Sequence, residues 1–228
     1  VMAAAVSGAQ EKPDVSGVVA PGVEAMPAIT SRDGAQARAP PELIPIPEGS
    51  VGFYSGSFDP PTRGHEAIIR SVFEKYKLRK LYILVNVDGP KNFKASIDER
   101  IGMLRAMLSD IIDKVDIVPV YATEKDSLVR TLGEKEKSFT VRIIGQDSFE
   151  KVPRTVLKDE TVQWIVVPRE DGAGAPLPRE RRNIRSMTID KIAVISSTKA
   201  RDAIRDGKPV DELLSPPVVE FVSKNGLY

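Results

Sequence analysis

The sequence predicts an α/β fold: a parallel sheet with helices on both faces and a helical segment towards the C-terminus. Two observations carry this. Short apolar runs recur at 51–55, 81–87, 115–120, 139–144, 162–167 and 191–195, and runs that are apolar on both alternating positions suit strands covered on two sides. Between and after them lie stretches with helical spacing, at 64–76, 97–112, 124–136, 147–157, 198–206 and 216–224. A helix between successive strands returns the chain to the start of the next, so the strands run parallel.

The elements follow an N-terminal stretch of different character. Residues 1–50 hold seven of the 18 prolines and show no sustained periodicity, so they are expected to form a poorly structured tail or linker ahead of a domain at 51–228. Deleting them is expected to leave the melting temperature nearly unchanged. Their segment PPELIPIPEGS suits an extended path against the domain. With three basic and six acidic residues, they leave 51–228 at about +4.

The first strand, VGFYS, runs into GSFDPPTRGH, and the helix at 64–76 begins there. At 97–112, Ile97, Ile101, Leu104, Leu108 and Ile111 fall on one face. Trp164, the only tryptophan, lies within the apolar run 162–167 and reads as core. The segment 169–187 has five arginines against three acidic residues. Its Gly and Pro mark a flexible loop, either a lid over bound phosphates or a solvated basic loop.

Composition narrows the function. The chain of 228 residues is 41% apolar and 29% charged with net charge +1, which gives no case for nucleic acid or a membrane surface as partner. Without cysteine there is no disulfide framework, thiolate metal site or cysteine nucleophile. No apolar run is long enough to span a bilayer, and the opening stretch lacks the basic leader and apolar core of a signal peptide, so a cytoplasmic location is expected.

Two stretches carry chemistry. In parallel sheets ligands bind at the carboxyl ends of strands, and Gly56-Ser57-Phe58 leaves the first strand there. Gly64 lets the backbone approach a ligand closely, and His65, the single histidine, stands at the start of the next helix, where the dipole favours anions. A histidine there either donates to a phosphate oxygen or caps its own helix. Near the other end of the domain KIAVI runs into Ser196-Ser197-Thr198, with Arg201 one turn on. Hydroxyls, free N–H groups and a forked guanidinium form a second anion cradle, or an ordinary Ser/Thr cap.

Together the motifs place the chain in a known setting. SGSFDPPTRGHEAII resembles the first signature of the nucleotidylyltransferase superfamily, T/HxGH, here Thr62-Arg63-Gly64-His65. ISSTKAR at 195–201 resembles its second, ISSTxxR. The segments IIGQDSFEKVPR, IVVPRE and SPPVVEFVSKNGLY are similar to parts of nicotinamide and nicotinate mononucleotide adenylyltransferases, and the resemblance spans residues 51–228. It implies a Rossmann-like fold and transfer of AMP from ATP to a phosphorylated acceptor. By that pattern His65 and Thr62 contact ATP phosphates, Gly56, Ser57 and Phe58 offer backbone, and Ser196, Ser197, Thr198 and Arg201 hold the outer phosphates. Lys91, with Lys94 as rival, neutralises the reacting phosphates or is a solvated loop face. Asp147 and Thr155 fall in the acceptor region, and magnesium arrives with ATP.

Two departures concern the acceptor. EKDSLVRTL keeps Thr131-Leu132 but lacks the rest of an SYTxxTL-like motif, and Thr155 stands where the family usually places a stacking tryptophan. A different phosphorylated acceptor, such as phosphopantetheine, or a non-catalytic nucleotide-binding module therefore stands beside the pyridine reading.

Overall fold

Among the described residues, six strands form one parallel sheet: β1 (Val51–Gly56), β2 (Lys80–Asn86), β3 (Val115–Val120), β4 (Thr140–Gly145), β5 (Val162–Val167) and β6 (Ile184–Ser186). The structure, a computed structural model, describes residues 42–89, 92–168, 181–189 and 195–228. The order is β3-β2-β1-β4-β5-β6. The chain grows outward from β1 to β3, then crosses to β4 and grows the other way. Loops leaving the carboxyl ends of β1 and β4 therefore diverge and open a crevice.

Strand residues alternate between faces. Tyr54, Ile143 and Ile165 sit opposite one another in register and face α1 (Arg63–Tyr76), α2 (Ile97–Met107), α5 (Ser197–Arg205) and α6 (Pro216–Asn225). Ile69 and Val72 of α1, Met103 and Leu104 of α2, Ala200 of α5 and Val218 of α6 complete this core. The opposite face carries Phe53, stacked on Tyr82 at 5.3 Å between ring centroids, and is covered by α3 (Lys125–Glu136) through Val129. Beyond it Trp164, 1% exposed, packs edge-on to Phe149 of the short α4 (Gln146–Phe149). Gly102 lets α6 press on α2: a Cβ there would lie 2.6 Å from Cζ of Phe221.

Three readings change. The helix predicted at 97–112 ends at Met107 and continues as a 3-10 segment, Ser109–Lys114, with a non-helical Ile111. Ser109 and Asp110 compete with the backbone for hydrogen bonds, and Asp110 is held by both Nη atoms of Arg70. The face predicted for α2 does pack on the core, Leu104 and Leu108 fully buried and Ile97, Ile101 and Ile111 partly, and Arg100, Met103 and Met107 widen it. The helix predicted at 147–157 breaks into α4 and a 3-10 turn, Val156–Lys158, because Pro153 disfavours helix before it and lacks a donor. The predicted loop 169–187 contains β6, pinned by the buried Asn183 amide, which donates to the carbonyls of Leu157, Asp159 and Val162. Residues 169–180, and the strand predicted at 191–195 except Ile195, lie outside the described residues.

Residues 42–50 run along the domain. Ile44 N–H donates to Arg182 O at 2.7 Å and Gly49 N–H to Lys77 O at 3.0 Å, while Ile46 packs against the main core and Ser50 is 2% exposed. Among the described residues no helix is long and apolar enough to cross a membrane.

Candidate active site

The loop after β1 is shaped by a ring folding back on a glycine. Phe58 has φ +51°, unusual for a residue with a side chain. Its ring covers Gly56 so closely that a Cβ there would lie 2.8 Å from Cζ. Phe58 is 1% exposed and sits edge-on to His65 at 5.0 Å and to Tyr54 at 5.5 Å. Gly56 and the Phe58 side chain therefore shape the backbone and support the imidazole.

Thr62 caps α1 and His65 is its third residue, closing a capping box. The Thr62 N–H donates to His65 Nδ1 at 3.0 Å, and the Thr62 hydroxyl lies 2.9 Å from the same nitrogen. An Nδ1 that accepts leaves the proton of the neutral ring on Nε2. Capping and ligand donation, alternatives in the sequence, are compatible because they use different ring nitrogens. The buried Gly64 and Thr62 line the same cleft as His65.

The second cradle faces the first. Ser196 caps α5, accepting from Lys199 N–H at 3.1 Å. Ser197 Oγ donates to Pro60 O at 2.9 Å, tying α5 to the loop after β1. Arg201 donates through Nη1 to Asp59 O at 2.6 Å and through Nη2 to Thr198 Oγ1 at 3.1 Å. His65, Ser57, Ser196, Ser197, Thr198 and Arg201 thus line one cleft of about 550 Å³, with Gly145 at the end of β4 on its far side. Two helix N-termini, the hydroxyls of Ser57, Thr62, Ser196, Ser197 and Thr198, an imidazole and a guanidinium around one space suit a polyanion. A larger groove of about 760 Å³ between α3 and β4–β5 contains neither signature.

Arg100 is a residue that sequence reading did not single out. It is 2% exposed and donates to Ser57 O at 2.8 Å, Asn86 O at 2.9 Å and Ser96 O at 3.3 Å. Its other side lies 4.2 Å from the centre of the Phe93 ring, which lines the cleft. Burial lowers its pKa, opposed by the charge of Asp59 and by Tyr228. The sequence signal is SIDER: Ser96 and Glu99 form a capping box, which puts Arg100 just inside α2.

Lys91 is outside the described residues. Lys94 is exposed, and its backbone N–H donates to Asp59 Oδ2 at 2.9 Å. Asp147 on α4 and Thr155 before the 3-10 turn are both exposed, and neither lines the cleft.

Residues 53–203 match the family described as cytidylyltransferase-like. Among curated proteins the chain is 30% identical over 190 residues to a probable nicotinate-nucleotide adenylyltransferase from Hydrogenobaculum sp., covering 78% of this chain and 97% of that one. It is 27% identical over 192 residues to the nicotinate-nucleotide adenylyltransferase of Bacillus subtilis, with the same coverage. The fold is similar to that of the Plasmodium falciparum nicotinic acid mononucleotide adenylyltransferase complexed with NaAD, at TM-score 0.65 and 16% identity, over 78% of this chain and 97% of that one. The cleft carries both predicted signatures and the match runs through each of them, so the chain belongs to the cytidylyltransferase-like family and is a nucleotidyltransferase.

Proposed function

We propose that the protein transfers the adenylyl group of ATP to a pyridine mononucleotide, nicotinate or nicotinamide mononucleotide, forming the dinucleotide and releasing pyrophosphate. The observation that carries this is the convergence of His65 and the Ser196–Arg201 cradle on one cleft at the β1/β4 switch point. The names of the relatives support the pyridine acceptor.

In this reading an acceptor phosphate oxygen attacks the α-phosphorus. The bond from that phosphorus to the oxygen bridging to the β-phosphate breaks, and pyrophosphate leaves with the electron pair. No protein nucleophile is needed. Rate comes from alignment and from donors aimed at the developing charge. His65 donates from Nε2. Arg201 keeps donors beyond those given to Asp59 and Thr198, and these meet the leaving phosphates, with Lys91 or Lys94 adding charge. Magnesium fits as a companion of the nucleotide. Among the described residues Asp59 is the one acidic side chain lining the cleft, and its oxygens already have partners. A bound ion would therefore be held by the nucleotide's phosphates and water, and would supply charge neutralisation.

The test is pyrophosphate release with ATP, magnesium and each of three acceptors: nicotinate mononucleotide, nicotinamide mononucleotide and phosphopantetheine. A pyridine mononucleotide is expected to be the best. Thr155, exposed and outside the cleft, favours the second reading of another acceptor. Turnover with phosphopantetheine alone would establish that one. Release with no acceptor in the panel would overturn the pyridine assignment.

A further inference from the structure

Asp59 sits in the first signature, 3% exposed, and the mechanism above gives it no task. A carboxylate in the wall of a polyanion site opposes binding unless its charge is absorbed. Here it is. Oδ1 accepts from Ala95 N–H at 3.0 Å and from the Tyr228 hydroxyl at 2.8 Å. Oδ2 accepts from Lys94 N–H at 2.9 Å and lies 3.9 Å from Arg201 Nη1. One side chain thereby joins the loop before α1, the segment carrying Lys94, helix α5 and the stretch after α6.

The Arg201 contact is the loose one. Its guanidinium binds the backbone carbonyl of Asp59 at 2.6 Å but stays beyond hydrogen-bond range of the carboxylate. A carboxylate satisfied by other donors leaves that guanidinium available to phosphate. We propose that Tyr228 is a positioning residue for nucleotide binding and adenylyl transfer: its hydroxyl holds the Asp59 carboxylate so that Arg201 is directed at the incoming phosphates. This rests on the reading of the cleft as the ATP site. Without the hydroxyl, Oδ1 loses a donor, and the carboxylate turns towards Arg201, the nearest cation among the described residues, in competition with the ligand. Tyr228 is suited to the task. Burial, then the hydrogen bond to Asp59, raises its pKa far above the ordinary phenol value, so it stays a donor.

The experiment is a double-mutant cycle on the full chain, read by the affinity for a non-hydrolysable ATP analogue and by kcat. Tyr228→Phe keeps the ring, which packs on the main core, and removes the hydroxyl. It is expected to weaken analogue binding about fivefold and lower kcat about tenfold, in the range of lost hydrogen bonds to charged groups. In an Arg201→Ala background the same substitution is expected to change either quantity by less than about twofold, because the residue it acts through is gone. Asp59→Asn removes the competing charge, and there too Tyr228→Phe is expected to be silent. Equal losses with and without Arg201 would show that Tyr228 acts through the fold, and unchanged binding in Tyr228→Phe would overturn the proposal outright. A wild type that binds no analogue is a different result, and removes the ATP reading together with this inference.

Discussion

His65 Nδ1 accepts the backbone N–H of Thr62 at 3.0 Å, which places the proton of the neutral ring on the nitrogen remote from the cap. The same side chain that completes the start of α1 is thus a donor of fixed direction. His65→Ala is expected to lower kcat by about 10²–10³, as for other donors to developing charge, with a smaller change in the Michaelis constant for ATP. It also opens the capping box, so a stability loss of about 1 kcal/mol accompanies it. His65→Asn can restore an acceptor for the Thr62 N–H but is too short to replace Nε2, so it should recover stability without recovering kcat. Steady-state kinetics beside melting temperatures separate the two effects. A His65→Ala enzyme within threefold of wild type would remove the proposed role.

Gly56 and Phe58 give a second expectation. A methyl group at Gly56 meets the Phe58 ring at 2.8 Å, and that ring supports His65. Gly56→Ala is therefore expected to destabilise the domain by about 1–3 kcal/mol, the range for overpacked cores. For a chain of this size that is a fall of roughly 2–12 °C in melting temperature. kcat should fall as well, since the imidazole loses its fixed support. A variant that melts and turns over like wild type would show that the ring moves aside freely.

The legible parts of this molecule are local and the illegible parts are not. β1, β2 and β5 read directly as apolar runs because both faces of those strands are largely buried, and β3 and β4 because apolar residues line the face that packs on the core. The two cradles read directly because each is a short stretch at a helix start, marked by hydroxyls with His65 in one and Arg201 in the other. β6 is only three residues long. It lay hidden in an arginine-rich segment, where the Asn183 amide does the holding that an apolar pattern would otherwise signal. The buried face of α2 is wider than its apolar spacing marks, because Arg100, a charged residue, is buried against backbone carbonyls. Asp59 and Tyr228 are distant in sequence and touch at 2.8 Å, a relationship that no spacing rule displays.

Residues 42–50 carry an expectation opposite to the one drawn from their composition. Ile44 and Gly49 donate to the domain backbone and Ile46 packs on its core. A chain starting at residue 51 is expected to melt several degrees below one starting at residue 42, since lost hydrogen bonds and apolar burial together amount to about 2–3 kcal/mol. Differential scanning calorimetry of the two truncations decides it. Equal melting temperatures would mean that these contacts add nothing to stability.

Alkaline pH offers a test of the buried phenols. Burial raises the pKa of Tyr54, and burial followed by the Asp59 hydrogen bond raises that of Tyr228, both well above the ordinary 10.0. The sign follows from proton counting. Below pH 10 both folded and unfolded chains keep these protons, so the phenols' contribution is fully present. Above it the unfolded chain releases protons that the folded chain retains, which favours unfolding, and stability falls as pH rises. Lys125 works the other way: burial, then the charge of Arg142, lowers its pKa from 10.5. Its unfolded form binds the extra proton, so its part in stability rises with pH up to that value. The two effects separate by mutation. In urea titrations from pH 8 to 11, the wild-type midpoint is expected to drop steeply above pH 10, and the Tyr54→Phe, Tyr228→Phe double variant should drop less, since only Tyr76 and Tyr82 then remain with pKa values raised by burial. Parallel curves for the two proteins would mean that both hydroxyls ionise in the folded state as readily as in the unfolded one, and the burial argument for Tyr228 as a permanent donor to Asp59 would fall with them.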